Sequence, residues 1–419
     1  MVVRKIRNGT MSGVTSLLPV STNGIGFLLL CSFLVLFAWG ATNTRFVVAL
    51  AATGALMTLT WVTPFNLAVV IIFLFLPYPA MRVRWGRGLM AGNTCIVVTL
   101  VIQLAFFAAV KRYPWLDLFA GFPEPVFVIG ISYVLFRQVH LLVDAPFLKT
   151  QPINLVQYTA FMLSPWTLIA GPIQQYDDFQ TGLQSIGRPN RDAILKAAHR
   201  ILNGLLKAFV VAPLFLPSSD IRFLERADAT WADFFIVLYS YPIYLYLNFS
   251  GYMDIVIGAS ALCGFHTLPE NFNRPYLARN IQDFWMRWHI SLGVWIRRYV
   301  FTPLSVGLVK RSPQSAHPWM IALAVMVTFF LVGLWHGTTS NYIVFGLLHG
   351  LAVLTNAGFN SAAGLLLEGE RRRQWQESKP LHLVSVIACF HYVCFTFLFL
   401  DNSAGSVFSA LKRFFVGAG

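Results

Sequence analysis

The sequence predicts an all-α, polytopic membrane protein, and three observations carry that prediction. Apolar residues make up 57% of the 419 and charged residues only 11%. With the 30 glycines the apolar share reaches about 64%, against the roughly 45–50% of soluble domains in a count that leaves out Tyr, here 14 residues. Apolar runs recur along the whole chain, several of them near the ~20 residues that cross a ~30 Å hydrocarbon core. No Asp or Glu occurs before Asp117. This balance excludes a soluble globular enzyme, a disordered chain and a coiled coil. The 37 Phe, 12 Trp and 14 Tyr suit lipid-facing and interfacial surface.

Residues 1–23 read as a polar, basic tail with Arg4, Lys5 and Arg7. The run 24–41 reads as a retained first helix rather than a signal peptide, because no A-x-A site follows it. Further runs fall near 46–62, 66–81, 89–110, 116–136, 154–173, 195–216, 231–265, 318–335, 341–355 and 383–400. The run at 231–265 is long enough for two helices. Roughly ten to twelve membrane-embedded segments follow, some broken by Pro. Polar loops stand at 174–193, 217–230, 266–280 and 364–381. No linker and no internal repeat divides the chain, so 24–419 reads as one multipass domain.

The net charge of +14 fits anionic headgroups and phosphates better than nucleic acid. Arg82, Arg84 and Arg87 directly follow a run and read as cytoplasmic. Arg4, Lys5 and Arg7 would place the N-terminus there too, and three intervening runs allow only one of these. The Arg82 cluster lies nearer a span end and carries more weight. The five cysteines form no CxxC pair. Cys389, His391 and Cys394 read as ordinary span residues, since helical spacing splays the cysteines about 140° apart. No metal site is expected.

Residues 269–304 carry too many charges for a span. Ile281, Phe284, Trp285, Trp288, Leu292, Trp295, Ile296 and Tyr299 nevertheless share a helical face of about 120°, with Asp283, Arg287 and Arg298 opposite. This predicts an amphipathic helix near 280–300, capped by Asn280, with His289 at the edge of its apolar face. In 331–350, LVGLWHGTTSNYIVFGLLHG, His336 ends an apolar run and His349 lies further on. A histidine at that depth is costly unless it acts or is paired. An ordinary imidazole titrates near neutrality, which suits it as a general base toward a hydroxyl. Acyl transfer also needs a donor to the oxyanion, from the Gly337 backbone or the Trp335 indole. No G-x-S-x-G elbow occurs, so direct transfer is the simpler chemistry.

FWMRWHISLGVWIRRY followed by GLWHG resembles the membrane-bound O-acyltransferase family. The resemblance is to its bacterial branch of alginate and peptidoglycan O-acetylation and teichoic-acid D-alanylation proteins. GISYVLFRQVHLLVD (130–144), LIAGPIQQYDDF (168–179), YLNFSGYMDIVIGAS (246–260) and LPENFNRPYLARNIQDFW are similar to further motifs of that branch, in matching order across about 125–355. The resemblance implies a ring of helices around a central tunnel in a bacterial cytoplasmic membrane. An activated donor, such as acetyl-CoA or an acyl carrier protein thioester, would enter from the cytoplasm. It also implies a separate exported or membrane-anchored partner and a polysaccharide acceptor. His336 matches the family's catalytic histidine and His289 its second, supporting one. The chain departs at Arg298, where the family usually has Asp, and at Asn248, where the branch often has Asp.

Further expectations attach to single residues. Asp254, a carboxylate in an apolar segment, reads equally as an ion pair or a substrate contact. Arg274, Arg279 and Arg287 read as donor-phosphate or headgroup contacts. Asn273, Asp283, Trp288 and Trp335 read as supporting the site. His349 reads as packing first and a partner of His336 second. The resulting expectation is transfer of a small acyl group, acetyl first, to hydroxyls of an envelope polymer. D-alanyl transfer from a carrier protein to a teichoic-acid-like polymer is the alternative, favoured slightly by Phe345, where alginate-type members have Trp. Outside that chemistry stand an envelope lipid or glycan transporter and an inactive scaffold.

Overall fold

A computed structural model of the chain describes residues 42–59, 64–87, 93–111, 130–148, 153–226, 228–367 and 369–416, together with 33–35, 37–39 and 113. The tail 1–23 and most of the run 24–41 lie outside the described residues, and with them the first-helix expectation. Among the described residues there is no named strand, only an isolated bridge between Phe272 and Trp288. Five segments among them are long and apolar enough to cross a membrane: Asn66–Val83, Thr94–Lys111, Gln314–His336, Ser340–Leu366 and Lys379–Asp401. The described chain packs as two compact units. One comprises the described residues between 33 and 206 together with 251–270, the other the described residues of 207–250 and 271–416.

The first unit contains α1 (Asn43–Leu59), α2 (Pro64–Phe75), α3 (Tyr78–Arg87), α4 (Asn93–Lys111), α5 (Ile131–Asp144), α6 (Leu155–Met162), α7 (Pro165–Leu168), α8 (Tyr176–Gln184) and α9 (Arg191–Leu205). Pro77 explains a set of buried polar side chains here. It has no N–H, so the Phe73 carbonyl four residues earlier loses its helical partner. That carbonyl accepts instead from Gln103 Nε2 and Gln138 Nε2, both at 2.8 Å, and the Leu74 carbonyl accepts from the Tyr158 hydroxyl at 2.6 Å. Buried Arg137 donates to the Tyr133 and Phe161 carbonyls (3.1 and 2.8 Å) and to Thr167 Oγ1 (2.5 Å). Buried His140 donates Nδ1–H to Asp144 (3.0 Å) while its Nε2 accepts the Tyr176 N–H (2.9 Å). Arg137 and His140 thus hold the 161–176 segment to α5.

The run 195–216 is not among the five segments long and apolar enough to cross a membrane. It is amphipathic α9 followed by a wide π turn at 206–211 and short 3-10 turns. Lys196 and Arg200 lie on the face opposite Leu195, Ile201, Leu202 and Leu205. The polar loops at 174–193 and 364–381 each contain a short helix, α8 in the first and Gly369–Glu377 in the second. The run 154–173 breaks at Ser164, where Pro165 opens α7.

The run 231–265 is one helix, α10 (Trp231–Leu262), 32 residues long with Pro242 inside it. It starts in the second unit and ends in the first. The second unit continues with α11 (Ile281–Trp285), α12 (Ile290–Ile296), α13 (Thr302–Lys310), α14 (His317–His336), α15 (Ser340–Leu366), α16 (Gly369–Glu377), α17 (Lys379–Asp401) and α18 (Ala404–Val416). Helices α14 and α15 form an antiparallel hairpin whose closeness depends on small residues. A Cβ at Gly333 would fall 2.4 Å from the Tyr342 carbonyl oxygen, and one at Gly346 2.3 Å from that of Phe329. Helix α17 lies along α15, where Tyr392 donates to the Leu348 carbonyl at 2.6 Å and Asn341 to the Phe399 carbonyl at 2.8 Å.

The amphipathic helix expected near 280–300 is broken. Helix α11 ends at Trp285, His289 takes a left-handed conformation (φ 45°), α12 follows, and a π turn spans 297–301. The break has a cause outside the segment itself. The Asn273 N–H donates to the Arg287 carbonyl (2.9 Å) and the Ile290 N–H to the Asn271 carbonyl (3.0 Å). Backbone groups at 287–290 therefore pair with 271–273 instead of continuing a helix.

Candidate active site

His336 is the last residue of α14, and Gly337 leaves the helix fully extended (φ −178°). Glycine is required there by space. A Cβ at 337 would fall 2.1 Å from Tyr342 Cε2. Tyr342 thus folds back over the turn, and its ring stacks parallel to the His336 imidazole at 6.4 Å. Trp335 lies at 4.7 Å on another side and Phe345 edge-on at 5.4 Å. His336 is half-buried within this aromatic setting, whereas His289 and His349 are buried.

His289 is held by a polar clamp. Its Nδ1 lies 3.4 Å from Asn271 Oδ1, and the same oxygen accepts the Ser291 N–H at 2.9 Å. The Phe249 ring meets the imidazole edge-on at 5.0 Å. Burial holds His289 well below the ordinary histidine range, to about 3, and the nearby His336 adds to that. His289 is therefore neutral at physiological pH, and it lies within electrostatic range of His336. The holding residue is Asn271, not Asn273, whose side chain is exposed and whose backbone serves the Arg287 carbonyl.

His349 Nε2 lies 2.9 Å from the Thr396 hydroxyl, which is also 2.9 Å from the Val393 carbonyl. His349 Nδ1 is buried and without a hydrogen-bond partner in the structure. Phe345 touches both His349 (4.5 Å) and His336 (5.4 Å), and Trp285 meets His349 edge-on at 5.3 Å.

The remaining site residues separate into groups. Trp288 is core, stacked on Phe284 (5.6 Å) and edge-on to Phe397 (5.2 Å). Asp283 pairs with Arg287 at 2.6 Å and accepts the Arg279 N–H at 3.1 Å, so their charges largely cancel. Arg274 and Arg279 are exposed, and Arg274 is left-handed (φ 46°) ahead of a 3-10 turn. Arg298 lies over the Tyr299 ring at 5.5 Å. Asp254 sits in the other unit, where Arg200 bridges it (3.1 Å) to Glu270 (2.5 Å). Of the two oxyanion donors expected, the Gly337 N–H is directed at the Gly333 carbonyl (3.3 Å). The Trp335 ring lies 4.7 Å from the His336 ring.

The arrangement is one accessible imidazole at a helix end, a buried neutral histidine nearby and an apolar aromatic surround. It can take a proton from a hydroxyl away from bulk water.

Comparison with known proteins agrees with this chemistry. The teichoic acid D-alanyltransferase of Bacillus subtilis (strain 168) is 28% identical over 339 residues, covering 78% of this chain and 81% of that protein. The teichoic acid D-alanyltransferase of Lacticaseibacillus rhamnosus is 27% identical over 351 residues, covering 80% and 84%. The protein named "Probable alginate O-acetylase AlgI" of Azotobacter vinelandii is 33% identical over 227 residues, covering 53% of this chain and 43% of that protein. The model of the membrane-bound O-acyltransferase family matches residues 24–363. The chain belongs to the membrane-bound O-acyltransferase family and is an acyltransferase.

Proposed function

We propose that this chain transfers D-alanyl groups from a carrier-bound thioester to hydroxyls of a teichoic-acid-like envelope polymer, in the cytoplasmic membrane of a bacterium. The observation that carries the reading is the half-buried His336 at the end of α14, ringed by Trp335, Tyr342 and Phe345. Its weight over acetyl transfer comes from coverage. The D-alanyltransferase relatives match along most of both chains, while the acetylase relative matches along less than half of its own length.

In the reaction, the acceptor hydroxyl oxygen attacks the thioester carbonyl. His336 takes the hydroxyl proton, the C–O bond forms, and the Trp335 indole donates to the developing oxyanion. The C–S bond then breaks, and His336 returns the proton to the thiolate. Neutral His289 supports His336 without competing for that proton. An exported or membrane-anchored partner protein completes delivery to the polymer.

The test compares ester-linked groups released by mild alkali from cells carrying wild type or His336→Ala at equal membrane levels. Loss of D-alanine in the variant supports the reading. Loss of acetate instead moves the substrate to the acetylase branch, and an unchanged release overturns catalysis by His336.

A further inference from the structure

The turn that follows His336 is joined to the end of α17 by one side chain. Asn341, in the first turn of α15, is buried. Its Nδ2 donates to the Phe399 carbonyl at 2.8 Å, and its Oδ1 accepts from the Thr339 hydroxyl at 2.5 Å. The reversed amide would set two acceptor oxygens face to face at Phe399, so only this orientation is bonded at both ends. Phe399 is itself buried in the last turn of α17, where carbonyls lack helical donors.

Two features point to placement rather than to helix stability. Thr339 is the N-cap residue of α15, where a hydroxyl ordinarily accepts from the first N–H groups of the helix. Its side chain makes no such cap and donates to Asn341 instead. Departures from a local rule of this kind concentrate at functional sites. The second feature is what stands beside Asn341. Tyr342 is the next residue, and its ring stacks on the His336 imidazole at 6.4 Å. Phe345, four residues on and on the same face of α15 as Asn341, meets that imidazole edge-on at 5.4 Å. The rotation and height of the first turn of α15 therefore set two of the rings around His336. Farther along, α15 is held to α17 independently. Tyr392 donates to the Leu348 carbonyl at 2.6 Å, and the Thr396 hydroxyl lies 2.9 Å from His349 Nε2.

We propose that Asn341 is a positioning residue for the transfer reaction. With His336 as the base, a role that rests on the function proposed above, the Asn341 amide locks the 337–341 turn to the end of α17. It thereby holds the imidazole and its surrounding rings in place for the acceptor hydroxyl. Such placement matters because a shift of about 1 Å at the reacting groups can cost on the order of a hundredfold in rate.

The test uses membrane vesicles containing the full chain, with D-alanyl- and acetyl-pantetheine thioesters as probes, and follows whichever the wild type consumes. Thioester loss is read as the excess over His336→Ala vesicles. Asn341→Ala should lower kcat about tenfold, with KM within about twofold of wild type. Tyr392→Phe is the comparison, because it removes a bond of the same kind between the same two helices, about two turns further along α15. It should lower the thermal midpoint about as much as Asn341→Ala does and leave kcat within about twofold. An equal loss of kcat in the two variants, or a kcat in Asn341→Ala within about twofold of wild type, overturns the positioning role and leaves the His336 reading intact. Should Asn341→Ala fail to reach the membrane, Thr339→Val decides, since it removes only the hydroxyl that holds the amide oxygen. A kcat about threefold lower at an unchanged KM supports the role, and an unchanged kcat overturns it. Wild-type consumption no greater than that of His336→Ala overturns the His336 reading, and the positioning role with it.

Discussion

The α14–α15 hairpin and the 271–301 segment each deliver one histidine, by opposite means. The hairpin is regular. Its helices close on glycines, and His336 takes its place because a helix stops there. The 271–301 segment is irregular. His289 is placed by a left-handed backbone, a π turn and hydrogen bonds from residues about eighteen positions earlier. The regular element yields a half-buried imidazole at a helix end, and the irregular one yields a buried, neutral imidazole. A helix end leaves a side chain room to meet substrate. A residue pinned in left-handed backbone costs on the order of 1–3 kcal/mol and persists only where its surroundings over-determine it.

Variants of the two regions should differ accordingly, beginning with the largest effect. His336→Ala should lower acyl transfer at least about a hundredfold with the protein still in the membrane, read as alkali-released ester. Gly337→Val comes next. Its Cβ meets the Tyr342 ring, so activity should fall about tenfold or more, and Tyr342→Ala in the same chain should recover part of the loss. Recovery that fails to exceed additivity would break the link between Gly337 and Tyr342.

On the irregular side, Asn271→Ala strands the buried Ser291 N–H and removes the His289 contact. A cost of about 1–3 kcal/mol follows, visible as a lower thermal midpoint in detergent and a several-fold slower transfer. Asp283→Asn should do least, since its pair with Arg287 is partly solvated and worth about 1 kcal/mol or less.

Acid sensitivity sharpens the contrast. His289 is neutral when folded, while the unfolded chain takes up that proton near the ordinary value of 6.5. The unfolded state binds more protons below that pH. The stability this group contributes is therefore present above pH 6.5 and is lost as pH falls from 6.5 toward 3. His289→Asn should flatten the dependence of the thermal midpoint on pH over that window. Asn is the apt replacement because it tolerates left-handed backbone.

The same contrast explains what the sequence made legible. The 331–350 segment could be read residue by residue, since an apolar run ending in Trp-His-Gly is a local pattern that maps directly onto a helix end. The 281–299 periodicity correctly marks Ile281, Phe284, Trp288 and Leu292 as buried, yet it records only which face is apolar. It carries no information about 271–273 capturing the backbone at 287–290. For the same reason Asn271 was not distinguishable from Asn273, two asparagines flanking one Phe. Asp254 looked ambiguous because its partner Arg200 lies 54 positions away. Lys196, Arg200 and Lys207 fall within the 195–216 run, which therefore forms an amphipathic helix and turns rather than a uniformly apolar segment.

The central claim is that the proton moves through His336 while His289 stays neutral. The most direct measurement is the pH dependence of acyl transfer from pH 5 to 9 in vesicles containing wild type, His289→Asn or His336→Ala. The account expects an acid limb in wild type that persists at the same pH in His289→Asn, on a lower plateau, and no transfer above background in His336→Ala. An acid limb that vanishes in His289→Asn, or transfer that survives in His336→Ala, would contradict it.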